Sequence, residues 1–166
     1  MADHFDRKPR RKAEFVQPIN MLRAKVGYGG LDESKLANSQ IASAKVCLDV
    51  LQRAIDDVRN PAIGAGNSDQ LVDRILQPVA QLKAGAAVAG YPLVEKLADK
   101  LIGFLEVIER PDRETLEIVQ AFHGTMHAIL KYKLAGSEHR HALALIDSLD
   151  TACRQYFSGQ KAVRQS

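Results

Sequence analysis

The sequence of 166 residues contains no tryptophan, few other aromatic side chains and only two cysteines. Its apolar residues are largely Ala, Leu, Val and Ile, a composition that favours packed helices over a β-sheet. Both cysteines, Cys47 and Cys153, fall among apolar neighbours at helical spacing, and neither has a CxxC partner. We therefore expect buried, reduced thiols and no redox function.

Long hydrophobic runs are also absent. No apolar stretch approaches the roughly 20 residues that cross a bilayer, and the first residues lack the apolar core of a signal peptide. These absences predict a cytoplasmic protein without a membrane span. The net charge of +3 is modest, and part of it lies in a basic run at residues 7–12. Such a run can engage nucleic acid or an anionic membrane. We interpret it as a solvated tail and expect no nucleic-acid partner.

The chain is long enough for one domain with its own core. Residues 1–30 predict an irregular segment, residues 31–160 a helical domain and residues 161–166 a tail. Within the domain, apolar residues recur at three- and four-residue steps, the pattern of five amphipathic helices. The expected breaks between them are Asn60-Pro61 with a loop at 62–66, Gly90, Pro111-Asp112 and Ala135-Gly136. Short connections make an antiparallel bundle the simplest fold for such helices.

The most specific pattern lies at residues 79–101, where Lys83 is followed seven positions later by Gly90 and then by Tyr91-Pro92-Leu93. This segment resembles the signature of histidine phosphotransfer domains. In that family a histidine is followed three positions later by lysine and then by glycine, and a second glycine seven residues past the lysine ends the helix. The resemblance implies an antiparallel four-helix bundle with an additional N-terminal helix. It extends more loosely over the whole bundle, from residue 25 to residue 145.

Counting back three residues from Lys83 leads to Ala80, the position of the family's phosphorylated histidine. A methyl group cannot attack an aspartyl phosphate, so the chain is not expected to act as an enzyme. The family's glycine after the lysine is Ala84 here, and Gly85 follows it. We expect the retained scaffold to dock a response-regulator receiver domain or a histidine kinase, as an adaptor or modulator. The expected docking surface comprises Ala80, Lys83, Ala84, Ala87 and Gly90.

Other interpretations stay open at this level. Lys83 could be a simple solvated lysine. His123 and His127, four residues apart, share a helix face and are alternative phosphoacceptors, but no carboxylate or cysteine completes a metal-ligand set around them. We therefore expect no metal and no cofactor. A purely structural or oligomerisation bundle is a third alternative, and the sequence leaves the oligomeric state open.

Overall fold

The chain folds entirely into helices in the part that the computed structural model describes, which is residues 33–64, 66–136 and 139–165. The helices are α1 (Glu33–Arg59), α2 (Pro61–Gly64), α3 (Ser68–Ala89), α4 (Pro92–Glu106), α5 (Arg113–Lys131) and α6 (Arg140–Gln165). These ranges contain no strand, so the all-α prediction is confirmed. The predicted irregular segment at residues 1–30 lies outside the described residues. Helix α6 continues to Gln165, into the predicted tail.

Four of the long helices form a closed ring. Helix α1 packs against α3, α3 against α4, α4 against α5, and α5 returns to α1. Helix α6 lies outside this ring and packs mainly on α5, with a smaller contact to α4. The resemblance implied that the additional helix would be N-terminal, but among the described helices it is the C-terminal one. The reason is that α1 contributes a wide apolar stripe to the ring, with Leu48, Leu51 and Ile55 fully buried.

The ring encloses one apolar core, as the three- and four-residue periodicity predicted. Its largest fully buried side chains are Phe122, Leu48, Leu51, Ile55, Ile75, Leu82, Leu97, Leu101, Leu105, Met126, Ile129 and Leu130. All five long helices contribute buried residues, and among the described side chains of α6 these are Ala142, Ile146, Leu149 and Tyr156. Helix α3 thus has one face committed to the core, and its opposite face is left for other contacts.

Local chemistry sets the two ends of α3, and its end at the predicted break, Gly90, is confirmed. The Asn67 side chain accepts a hydrogen bond from the Asp69 backbone N–H at 3.0 Å, which caps the first turn. At the other end Gly90 adopts φ = 80°, and the Tyr91 N–H donates to the Ala86 carbonyl at 2.9 Å. Glycine is favoured here because a Cβ destabilises this left-handed conformation. Pro92 then opens α4, so α3 and α4 form a tight helical hairpin.

Two expected breaks differ from the structure. The single-turn helix α2, which begins at Pro61, overlaps the expected loop at residues 62–66. The expected break at Ala135-Gly136 does lie between α5 and α6, but α5 already ends at Lys131, and Lys133 rather than Gly136 takes the left-handed conformation, at φ = 55°. The Leu134 N–H donates to the Ile129 carbonyl at 2.9 Å, so backbone hydrogen bonds close this end without glycine.

Candidate functional site

The surface predicted for docking lies on α3, between its contacts with α1 and α4. Ala80 and Lys83 are partly exposed, Ala87 is exposed, and Gly90 is exposed at the end of the helix. Residues three and four positions apart are neighbours on one helix face, so Ala80, Lys83 and Ala87 form a continuous strip. The structure thus brings together three of the predicted side chains, and this strip is called the α3 surface below.

Ala84 and Gly85 differ from the expected arrangement. The Ala84 side chain is only 6% exposed, so it offers little contact area to a partner. Gly85 is buried beside α1, where a Cβ would lie 3.5 Å from the Gln40 side-chain oxygen. That distance is ordinary van der Waals contact, so no steric conflict requires glycine there. Gly85 therefore does not take over the role of the family's glycine in leaving room for a partner on the outer face.

Lys83 forms an ion pair that the sequence analysis missed. Its Nζ lies 2.6 Å from Oδ1 of Asp99 on α4, and the two side chains are 33% and 64% exposed. The alternative that Lys83 is a simple solvated lysine stays a prediction, because an ion pair this exposed to solvent is compatible with it. The sequence did contain a signal, because Lys83 and Asp99 lie at similar distances on either side of Gly90, and such residues face each other in a helical hairpin. A pair this exposed contributes at most about 1 kcal/mol to stability. Its larger effect is that Asp99 neutralises the charge beside Ala80.

His123 and His127 share a face of α5, as predicted. Their rings stack with centroids 6.2 Å apart, and His123 Nε2 lies 2.9 Å from the Leu48 backbone carbonyl. A neutral imidazole donates from Nε2 in this geometry, so that nitrogen is engaged and cannot attack a phosphoryl group. His127 is exposed. The described residues contain no group of three or more His, Cys, Asp or Glu side chains that could hold a metal ion.

Burial lowers the pKa of His123, a trend opposed by the Leu48 hydrogen bond and, more weakly, by Asp49 and Asp56. In the unfolded chain the imidazole has a pKa near 6.5, whereas in the native protein its pKa is lower. The unfolded state thus binds more protons below this pH, and the free energy of unfolding falls as the pH drops from about 6.5. We expect His123→Gln to reduce this slope in urea unfolding measured between pH 7.5 and 5.5.

The matched control for the pH experiment is His127→Gln, because His127 is exposed and its effect on the pKa of His123 is smaller than those of burial and the Leu48 hydrogen bond. This variant should keep most of the native slope. An unchanged slope in His123→Gln would show that His123 does not carry the pH dependence.

The two cysteines are free and partly buried, which corrects the expectation of full burial. Burial raises the pKa of Cys47, and burial together with the charge of Asp150 raises the pKa of Cys153 to about 11. Both groups are therefore neutral thiols at physiological pH, and the thiolate needed for nucleophilic attack is scarce.

No family model, curated protein or solved structure matches this chain. The family resemblance consequently rests on the residues of the α3–α4 hairpin. No described helix is long and apolar enough to cross a membrane. The α3 surface therefore consists of small residues, with Ala80 partly exposed. One turn away, Lys83 is paired with Asp99 of the same chain.

Proposed function

We propose that this chain is a partner-binding helical bundle of the histidine phosphotransfer type. Its α3 surface docks a receiver domain or a histidine kinase, and the chain carries no phosphate. The observation that supports the proposal best is the partial exposure of Ala80, one turn from Lys83 on the outer side of α3. The glycine junction at Gly90, which positions α4 beside this surface, is a second supporting feature.

Small side chains suit this role because they allow the backbone of a partner helix to approach closely. Because Ala80 and Ala87 are small, the α3 surface has no large protruding side chain at these positions. The affinity of a partner therefore depends on how well its shape fits the surface and on burial of the alanine methyl groups. The Lys83 ammonium is already paired with Asp99. An acidic pocket on the partner must therefore compete with Asp99, and we expect charge to contribute less to affinity than fit does.

We expect the substitution Ala87→Glu to weaken partner binding by at least about tenfold, or about 1.4 kcal/mol, because a charged side chain blocks close approach. Purified receiver domains and kinase dimerisation domains would be titrated into the full chain by isothermal calorimetry. Ala121→Glu is the matched control, since Ala121 is also exposed but lies on α5, which packs against α1, α4 and α6. It should leave affinity unchanged.

Two results would contradict the docking proposal. The first is that the native chain binds no receiver or kinase domain, which would favour the structural or oligomerisation bundle. Equal losses in both alanine variants would place the interface elsewhere.

The alternative of an atypical phosphoacceptor is tested by incubating the chain with a phosphorylated kinase and receiver. We expect no acid-labile label on the native protein. If label appears and His127→Ala removes it, the chain transfers phosphate through its exposed histidine, and the binding-only proposal is wrong. His123→Ala serves as the comparison, because the Nε2 of His123 is already bound to the Leu48 carbonyl.

A further inference from the structure

A groove at one end of the bundle is not used by the proposed docking. It lies between the α4–α5 connection at residues 107–112 and the last turns of α6 at residues 156–161, and its volume is about 860 Å³. Helix α4, which is 15 residues long, separates it from Gly90 by roughly 22 Å. The groove and the α3 surface can therefore be occupied independently.

The groove combines an apolar recess with protruding apolar side chains. Ile108 and Tyr156 are buried in its floor, and Phe157 is partly buried beside them. Val107 at the groove edge is 60% exposed, and Val163 of α6 is 72% exposed. Val163 follows Tyr156 by seven residues, about two helical turns, so both lie on one face of α6. The end surface, as it is called below, comprises residues 107–112, residues 156–161 and Val163.

The charges of the end surface and of the adjoining first turn of α5 are balanced. They comprise carboxylates at residues 109, 112 and 114 and cations at residues 110, 113 and 161. Burial raises the pKa of Tyr156, and the charges of Asp112 and Glu114 raise it further, so carboxylates lie close to the floor of the groove. A surface with balanced charges does not favour a ligand of either sign.

The order of these charges favours a second copy of the same chain. In a two-fold contact the same surface lies on both sides, so residue i of one copy meets residue j of the other while j meets i. Along the α4–α5 connection the charges alternate about Pro111, with Glu109 and Arg110 before it and Asp112 and Arg113 after it. Around an axis at Pro111, each of these four side chains faces an opposite charge in the other copy, which favours that register.

We propose that the end surface is the interface of a two-fold symmetric dimer. Val107 and Val163 of each copy cover the apolar floor of the groove in the other, and the charges on either side of Pro111 pair between the copies. Arg113 is available for such a pair although it lies 3.0 Å from Glu117, because its side chain is 94% exposed. The α3 surface of each copy stays open to a partner.

The area of the end surface sets the expected strength of the dimer. A residue in a specific interface contributes about 30–40 Å² on its own side. The end surface together with Arg113 would thus bury about 1,000 Å² over both copies, at the lower limit for specific interfaces. We therefore expect a weak dimer, with a dissociation constant of about 0.1–1 mM.

Amide spectra of the ¹⁵N-labelled full chain test where the copies meet. They would be recorded at protein concentrations below and above the expected dissociation constant, and we expect concentration-dependent shifts at residues 107–113 and 156–161. Val107→Glu should weaken the dimer at least about tenfold, because it places a charge against an apolar floor. Val46→Glu on α1 should not, although both valines are 60% exposed in the native chain. Sedimentation equilibrium would measure the dissociation constants.

A complementation experiment tests the two-fold pairing. Glu109→Arg and Arg113→Glu each place like charges opposite each other in a dimer of identical chains, so each variant alone should dimerise less than the native chain. An equimolar mixture of the two should dimerise again, because the substituted side chains then face opposite charges. Lys96→Glu, at an exposed lysine of α4 away from the end surface, should leave the native dissociation constant unchanged.

Every substituted side chain is exposed in the native chain, so the variants are expected to fold, and thermal unfolding would verify this. A native chain that stays monomeric above the expected dissociation constant would overturn the proposal. So would shifts confined to another surface, equal losses in Val107→Glu and Val46→Glu, or a mixture that dimerises no better than its two components. None of these outcomes depends on receiver binding.

Discussion

The double variant Ala80→His/Asp99→Asn is expected to accept a phosphoryl group from a phosphorylated receiver domain, whereas the native chain does not. This expectation rests on the proposed docking. An imidazole nitrogen at position 80 would attack the phosphorus of the aspartyl phosphate. An N–P bond forms, the P–O bond to the receiver's aspartate breaks, the carboxylate leaves and the ring proton passes to solvent.

The second substitution matters because Asp99 lies 2.6 Å from the Lys83 ammonium. With Asp99 present, the charge that could screen the incoming phosphoryl group is neutralised, and an additional carboxylate repels it. We expect Ala80→His alone to be labelled at least about tenfold more slowly than the double variant, a barrier difference of about 1.4 kcal/mol. Adding Lys83→Gln to the double variant should slow labelling again.

The measurement is the uptake of acid-labile, base-stable label over time from a radiolabelled receiver. Ala121→His is the control for an exposed histidine on another helix, and it should stay unlabelled. The resemblance to phosphotransfer domains would be contradicted if the double variant binds the receiver as tightly as the native chain and remains unlabelled. Label on the native chain would instead contradict the absence of a phosphoacceptor.

Replacing Phe122 by alanine is expected to destabilise the fold by about 3–5 kcal/mol, because it removes a fully buried aromatic side chain from the core enclosed by the four helices. Phe122 lies on α5, which packs against α1, α4 and α6, so the cavity would lie where several helices meet. This loss is a large fraction of the roughly 5–15 kcal/mol that stabilises an ordinary domain. Urea unfolding followed by circular dichroism would measure it.

Tyr132→Ala provides the matched control for the aromatic deletion. Tyr132 follows α5 directly but is 66% exposed, so removing its ring should change stability by less than about 0.5 kcal/mol. A similar loss in both variants would mean that the helix periodicity had misidentified the core. A stability loss of less than about 1 kcal/mol in Phe122→Ala would mean that the Phe122 side chain is not tightly packed in the core, contrary to what its burial indicates.

Local chemistry made much of the fold predictable. The long helices follow from apolar residues at helical spacing, and the cap at Asn67 follows from a side chain that reaches a backbone N–H two residues away. The junction at Gly90 and Pro92 follows from their backbone preferences. The same reasoning failed at Gly136, because Lys133 adopted the left-handed conformation three residues earlier. There the local preference for glycine was outweighed by the backbone hydrogen bonds that close α5 earlier in the chain.

The candidate site was predictable only in part. The sequence alone placed Ala80, Lys83 and Ala87 on one face of a helix, since that depends on helical spacing within a single element. Tertiary packing decided the rest: that Ala84 is buried, that Lys83 pairs with Asp99, and that α6 packs outside the four-helix ring. These features arise from residues distant in sequence, whose meeting depends on how the helices pack. The sequence by itself thus determined the helices and the spacing of the α3 surface, and packing determined which side chains remain available to a partner.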